Sequence, residues 1–469
     1  MRRASRVWTL ATARAKAAFG ATIGLCHVGQ PPNRRNTQRH RKATTKPCNA
    51  LAPTATIHQK PTPVYNIFIY IYLLGIVIAS LFSAKVRRMW RGQREAFDLL
   101  RNNVDQGAQY VWFHAASLGE FEQGRPLIEE LRHTHPQYKV LLTFFSPSGY
   151  EVRKNYEGAD IVCYLPLDTP LNARRFLRLV HPEMAFFIKY EFWYNYLHIL
   201  KHRGVPTYSV SSIFRPDQIF FRWYGRGYAK VLSCFSHFFV QNEQSRSLLA
   251  SIGLRNVTVT GDTRFDRVLQ IQKASKHLPI VENFVQGKRL FVAGSSWAPD
   301  EDVFIPFFNA HSDWKMVVAP HVVSEDHLQQ IEQMVEGCTI RYSKATPEAV
   351  AEADCLLIDC YGLLSSVYHY ADVTYVGGGF GVGIHNVLEA AVWGVPVIFG
   401  PNNQRFQEAQ ELMAAGGGFE VDCKEHFEAL MDEWIDAPWR VQVAGEKSTE
   451  YVKSKVGATN KVLEEIFHQ

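Results

Sequence analysis

Within WFHAASLGEFEQG, residues 112–124, a glutamate, Glu120, directly follows Ser117, Leu118 and Gly119 at the point where an apolar run gives way to helical spacing. A carboxylate within reach of a hydroxyl can take its proton as that hydroxyl attacks, so Glu120 is a candidate general base. An acid in a helix's first turn also complements the positive end of the helix dipole, and position alone leaves both roles open. FFIKYEFWYNYL, residues 186–197, delivers Lys189 and Glu191 just past an apolar run ending near Ile188. TGDTRFDRV does the same with Thr260, Asp262 and Arg264. Each reads equally as surface charge, but all fall at predicted strand ends.

A second group lies later in the chain. DVTYVGGGFGVGIHNVLEAAVWGVPVIFGP, residues 372–401, carries an apolar strand into Gly377, Gly378, Gly379, Gly381 and Gly383, with a helix expected from near His385 and Asn386. Glycines let backbone approach an anion, and a helix start offers free N–H donors to it, which is a phosphate cradle. A dinucleotide site is the competing reading, but no clear acid follows about twenty residues on. Glu389, one turn past Asn386, is placed to accept both hydroxyls of a ribose; otherwise it is an exposed helix acid. In FVAGSSWAPDED, Ser295 and Ser296 suit a phosphate or a sugar, or serve as an N-cap. Pro320 and His321 close the next apolar run.

Those residues need an edge to stand on. From about residue 110, short apolar runs alternate with helical stretches in two sets, YVWFHAA to VTVTGD and RLFVAGSS to GFEV. Strand–helix alternation in two sets predicts two parallel-sheet α/β units with a cleft between them, where ligands bind beyond the strands' carboxyl ends. The boundary is expected within residues 267–289. Residues 64–83 are twenty uncharged residues, long enough for one bilayer crossing, followed by Lys85, Arg87, Arg88, Arg91 and Arg94. The positive-inside rule then puts the bulk of the chain in the cytoplasm.

Composition trims the options. Of 469 residues, 1–63 carry twelve Lys and Arg and no acid, so the formal +6 of the whole becomes 39 basic against 45 acidic residues beyond them. Nothing there calls for nucleic acid. The first 63 residues lack periodicity and are expected to be disordered, or to precede the true start. Eight cysteines without a CxxC pair read as reduced thiols rather than a disulfide framework or zinc site.

FHAASLGEFEQGRPLIEELR, KYEFWYNYL, FVQNEQS, VTGDTRFD, GSSWAPDED and ADVTYVGGGFGVGIHNVLEAAVWGVPVIFGPN, in order over residues 65–465, resemble the 3-deoxy-D-manno-octulosonic acid (Kdo) transferases of lipopolysaccharide synthesis. The resemblance implies a GT-B architecture: two Rossmann-like domains facing across a cleft, with an N-terminal membrane anchor helix. The expected division is a leading extension over 1–63, an anchor over 64–84, an acceptor domain over 85–270 and a CMP-sugar donor domain over 285–469. It implies an inverting transfer of Kdo from CMP-Kdo to the 6′-hydroxyl of a lipid A precursor at the inner membrane, with no cofactor and no metal. Glu120 would be the base, with Glu191 the second candidate carboxylate. Ser117, Gly119, Lys189 and Arg264 would serve the acceptor or transition state. Ser295, Ser296, Pro320, His321, Gly378, Gly379, Phe380, Gly381, Asn386 and Glu389 would hold the donor. His321 stands where many members have Arg, exchanging a fixed cation for one that titrates near neutrality. Arg264 stands where many have Lys, and VSS before Ile213 replaces the family's NAR. Another GT-B glycosyltransferase, or a nucleotide-sugar epimerase using a UDP-sugar, is the alternative, and a tethered nucleotide-sugar binder without turnover is a third.

Overall fold

A computed structural model describes residues 63–467 apart from 382, so the expectation for the leading extension lies outside the described residues. Seven parallel strands form the first sheet: β1 (Tyr110–Ala115), β2 (Lys139–Phe144), β3 (Ile161–Tyr164), β4 (Pro182–Ile188), β5 (Thr207–Ser212), β6 (His237–Val240) and β7 (Val257–Val259), in the order β3-β2-β1-β4-β5-β6-β7. Seven more form the second: β8 (Arg289–Ser296), β9 (Trp314–Pro320), β10 (Thr339–Arg341), β11 (Cys355–Leu357), β12 (Val373–Val376), β13 (Val397–Phe399) and β14 (Gly418–Glu420), in the order β10-β11-β9-β8-β12-β13-β14. Every residue of β1, YVWFHA, is buried, as helices covering both faces of a parallel sheet require. In each unit the order reverses beside the first strand, so the loops after β1 and β4, and after β8 and β12, open a crevice at the carboxyl edge. Glu120 and the glycine loop follow β1 and β12.

Polar links tie the units together. Arg264 binds Asp262 and reaches Glu408 of the second unit at 2.7 Å. Asn242 donates to Gln407 at 2.7 Å. The last helix, Ala458–Phe467, returns to the first unit, where Val462 and Leu463 pack with Phe121 and Leu127. Asp266 fixes that return by accepting from the backbone of Gly457 and Thr459.

Helix Pro63–Phe82 carries a stretch, Val64–Phe82, long and apolar enough to cross a membrane by length and composition. One stripe of it, Tyr65, Ile69, Ile76 and Ser80, is buried against the first unit; Ile67, Phe68, Ile71, Leu74 and Ile78 face outward. Tyr65 donates to Asp168 at 2.8 Å and Asn195 donates to Asn66 at 3.0 Å. Ser83 interrupts the helix and caps the next, Ala84–Asn103.

Candidate functional site

At the carboxyl edge of β1 the chain turns through Ala116 and Ser117 into helix Leu118–Thr134, which places Glu120 in the first turn. Its side chain is 8% exposed, and the Ser117 hydroxyl donates to Oε2 at 3.1 Å. A Cβ built on Gly119 would meet nothing within 4 Å, so open space lies beside the carboxylate's turn. Lys189, just beyond β4, lies in the fields of Glu120, Asp262 and Glu408. Burial, then the charge of Arg264, lowers the Lys189 pKa. Arg264 donates through its side chain to Asp262 at 2.8 Å while bridging to Glu408. Burial works against both charges, yet Arg264 holds Asp262 below the usual carboxylate range, and the two carboxylates hold Arg264 above its own. Ser117, Gly119, Glu120, Lys189 and Arg264 thus share one edge.

Glu191 has other company. Its Oε2 accepts from Trp193 at 2.8 Å and lies 3.5 Å from Nε2 of the fully buried His114. His114 in turn meets Thr143 on β2. This carboxylate helps build the wall beneath helix Pro63–Phe82, whose Tyr72 lies within its field.

On the second unit the glycine loop is packed against its own neighbours. A Cβ on Gly379 would lie about 2.5 Å from the Gly400 backbone, and one on Gly378 (φ +95°) would strike the Gly383 carbonyl. The loop's donors are partly committed: Gly378 N–H donates to Asp300 at 2.9 Å, Gly381 and Gly383 N–H to the Gly378 carbonyl, and His385 N–H to the Gly377 carbonyl. Asp300, which also accepts from Trp297 N–H and Tyr375, is buried, and burial raises its pKa against those donors. The helix expected from near His385 is a single turn, Leu388–Ala391, because the preceding residues bond back into the loop instead of forward. The cradle therefore offers fewer free donors than the sequence suggests.

The remaining donor candidates cluster around this loop. Glu389 accepts from Ser365 at 2.8 Å and from Asn386 at 3.1 Å, so both carboxylate oxygens are oriented. Ser296 donates to the buried Glu301 at 2.7 Å, and Glu301 holds His327 at 2.8 Å. Ser295, half-buried, takes a left-handed backbone at φ +54°. His321 is stacked between Trp297 and His385, with centroids 4.9 and 4.2 Å away. Burial lowers the His321 pKa; burial and the neighbouring His321 push His385 down to about 4. The titration near neutrality expected of His321 is thus moved down, and the site holds a neutral aromatic stack there. Segment 400–408 joins the two clusters: Asn402 bonds Gly379 and Gly381, while Arg405 accepts from Arg215 and Glu408 from Arg264. Sequence reading missed Trp297, Asp300, Glu301, His385's stacking and Glu408. The run GPNNQRFQE after β13, at a strand's carboxyl end, was the available signal for Glu408.

The profile of a family described as 3-deoxy-D-manno-octulosonic-acid transferase (kdotransferase) matches residues 90–267. A 3-deoxy-D-manno-octulosonic acid transferase of Aquifex aeolicus is 26% identical over 348 residues, 72% of this chain and 90% of its own. One of Bordetella pertussis is 27% identical over 372 residues, 76% of this chain and 86% of its own. Among solved structures, a UDP-GlcNAc 2-epimerase from Neisseria meningitidis bound to UDP-GlcNAc shares the fold with a TM-score of 0.56 at 14% identity, covering 77% of this chain and 100% of that one. A putative UDP-N-acetylglucosamine 2-epimerase from Listeria monocytogenes gives 0.52 at 15%, covering 76% and 96%.

Proposed function

We propose that this chain, which is similar to Kdo transferases over 72% and 76% of its length, moves Kdo from CMP-Kdo to the 6′-hydroxyl of a lipid A precursor, lipid IVA, with inversion. The observation that carries this reading is Glu120: a carboxylate oriented by Ser117, beside the open space at Gly119, with the cation Lys189 near it and Arg264 near Lys189. Glu120 takes the proton as the acceptor oxygen forms its bond to the anomeric carbon. The bond from that carbon to the phosphate oxygen breaks, and CMP leaves with the electron pair. Lys189 and Arg264 meet the negative charge of donor and acceptor at the same edge, an electrostatic contribution that is largest where water is excluded.

The donor's ribose hydroxyls are assigned to Glu389, whose oxygens Ser365 and Asn386 already orient. Its phosphate is assigned to the Ser295 side of the glycine loop. The expected domain roles follow, with the acceptor on the first unit and the nucleotide on the second. Attachment to the cytoplasmic face of the inner membrane is assigned to helix Pro63–Phe82 and its basic flank.

Incubating the full-length protein with CMP-Kdo and lipid IVA, and weighing the lipid by mass spectrometry, tests the whole reading. Whole Kdo increments are expected and their number gives the valency. Turnover of a UDP-sugar with no Kdo increment would overturn it in favour of an epimerase or another glycosyltransferase.

A further inference from the structure

Outside the cleft, a cavity of about 710 Å³ opens between helices Ala84–Asn103 and Pro170–Val180, lined by Arg87, Arg91, Arg94, Arg101 and Arg175 against only Glu95 and Asp98. Two of the arginines are committed. Arg101 pairs with Asp98, and Arg87 donates to the carbonyls of Ser80 and Leu81 at the end of the apolar helix. Among the described residues, Arg91, Arg94 and Arg175 have no carboxylate within ion-pair distance. Gln93, also in the lining, is 2% exposed, and neither its amide nitrogen nor its oxygen has a hydrogen-bond partner. Arg94 and Arg175 stack on Trp90 and Phe97, which leaves their charge unneutralised, and a buried unpaired amide beside such guanidinium groups is matched by a ligand that brings acceptor oxygens and negative charge.

We propose that this cavity takes the phosphate head group of an anionic membrane lipid, while the outward face of helix Pro63–Phe82 lies beside it in the acyl layer. The choice of a lipid over a soluble anion comes from what adjoins the cavity. Arg87 joins its rim directly to the apolar helix, whose Leu81 and Phe82 are 68% and 86% exposed. An apolar helix face flanked by guanidinium groups is the arrangement that seats on an anionic leaflet. Here one stripe from Tyr65 to Ser80 packs on the first unit, and hydrogen bonds to Asp168 and from Asn195 hold its first turn, so the outward apolar face is fixed beside the cavity.

The proposal rests on the membrane attachment assigned above, and sedimentation of the full chain with two kinds of vesicle separates them. Vesicles of phosphatidylcholine alone report the apolar face; vesicles also containing phosphatidylglycerol report the cavity. The wild-type chain is expected to bind both and to prefer the second. An Arg91→Gln/Arg94→Gln double variant, altered at two exposed side chains, is expected to bind phosphatidylglycerol vesicles about tenfold or more weakly and phosphatidylcholine vesicles as before. Gln93→Leu should lose part of the same preference, whereas Arg174→Gln, exposed on the neighbouring helix but outside the lining, should keep it. An equal loss in Arg174→Gln would mean diffuse charge attraction and overturn the site. Inorganic phosphate that binds in an Arg91/Arg94-dependent way without any vesicle preference would overturn the lipid assignment. A wild-type chain that sediments with neither vesicle would instead overturn membrane attachment itself.

Discussion

Replacing Glu120 by Gln separates a base from a helix-dipole acid, because the structure predicts opposite orders of damage for Glu120 and its neighbour Glu122. Gln keeps the volume of a side chain that is 8% exposed, and its carbonyl can still accept from Ser117 across 3.1 Å. The helix start survives and only the proton acceptor is lost. If Glu120 is the base, turnover falls about 10²–10⁴-fold, equivalent to roughly 2.7–5.5 kcal/mol of barrier. Removing charge from the first turn costs at most about 1 kcal/mol of stability. Glu122 has the contrary profile. It pairs with Arg153 at 2.8 Å and Arg267 at 3.1 Å, so Glu122→Gln loses two partly exposed ion pairs, each worth up to about 1 kcal/mol. Glu122→Gln is therefore expected to unfold at the lower urea concentration and to keep turnover, while Glu120→Gln does the reverse. Kdo transfer under saturating CMP-Kdo and urea midpoints for both variants provide the comparison. A folded Glu120→Gln protein with near-normal transfer would refute the reasoning and send attention to Glu191.

Glu389→Ala should weaken CMP-Kdo use by about ten- to a hundredfold, the worth of hydrogen bonds to a charged group; an unchanged donor titration would leave Glu389 as a brace for Ser365 and Asn386 alone. The stack of His321 and His385 predicts a pH dependence. Both imidazoles are held below their ordinary value, His385 at about 4, so the unfolded chain binds more protons between there and about 6.5. Stability from the stack is full above that upper value and drains as pH falls toward 4; His385→Asn should flatten the fall in urea midpoint between neutral and acid buffer, and an equally steep fall would disprove it. Ser295→Gly should relax a left-handed serine and raise stability by about 0.5–1 kcal/mol. If the hydroxyl holds the donor, transfer falls in this more stable protein; unimpaired transfer would remove Ser295 from the donor site.

The sheet edge was legible because burial and hydrogen bonding along β1, β4, β8 and β12 are local and periodic. Apolar runs such as YVWFHA have to pair, and whatever follows them emerges at the carboxyl edge. That is why Glu120, Lys189 and Ser295 could be placed by type and position. Contacts across sequence were not legible. Nothing near GGGFG announces that Asp300, 78 residues earlier, takes the Gly378 N–H, nor that Tyr65 reaches Asp168 across 103 residues. The helical spacing of HNVLEAAVW is real, yet the loop's own carbonyls capture the amides that would have started a longer helix. Tertiary competition for a few N–H groups decided that case.

The strained residues connect these two kinds of information. Five described non-glycine residues have positive φ: His181 and Gln286 cap helices, where that conformation is common, while Lys189, Ser211 and Ser295 lie at the carboxyl ends of β4, β5 and β8. At Ser211 and Ser295 the pairing register shifts, between Val210 and Ser212 and between Gly294 and Ser296. The extra residue in each strand breaks the alternation that VSS and GSS would otherwise continue. Neighbours hold the cost in place: Gln241 donates to the Ser211 carbonyl, the Ser212 hydroxyl donates to the Lys189 carbonyl, and His321 N–H donates to the Ser296 carbonyl. A non-glycine residue leaves its preferred backbone region only where surroundings over-determine it, and such residues gather where side chains must be aimed. Both sheets carry this device at the carboxyl ends of their strands, so the departures from regular strand geometry fall on the same edge as the candidate residues Glu120, Lys189 and Ser295.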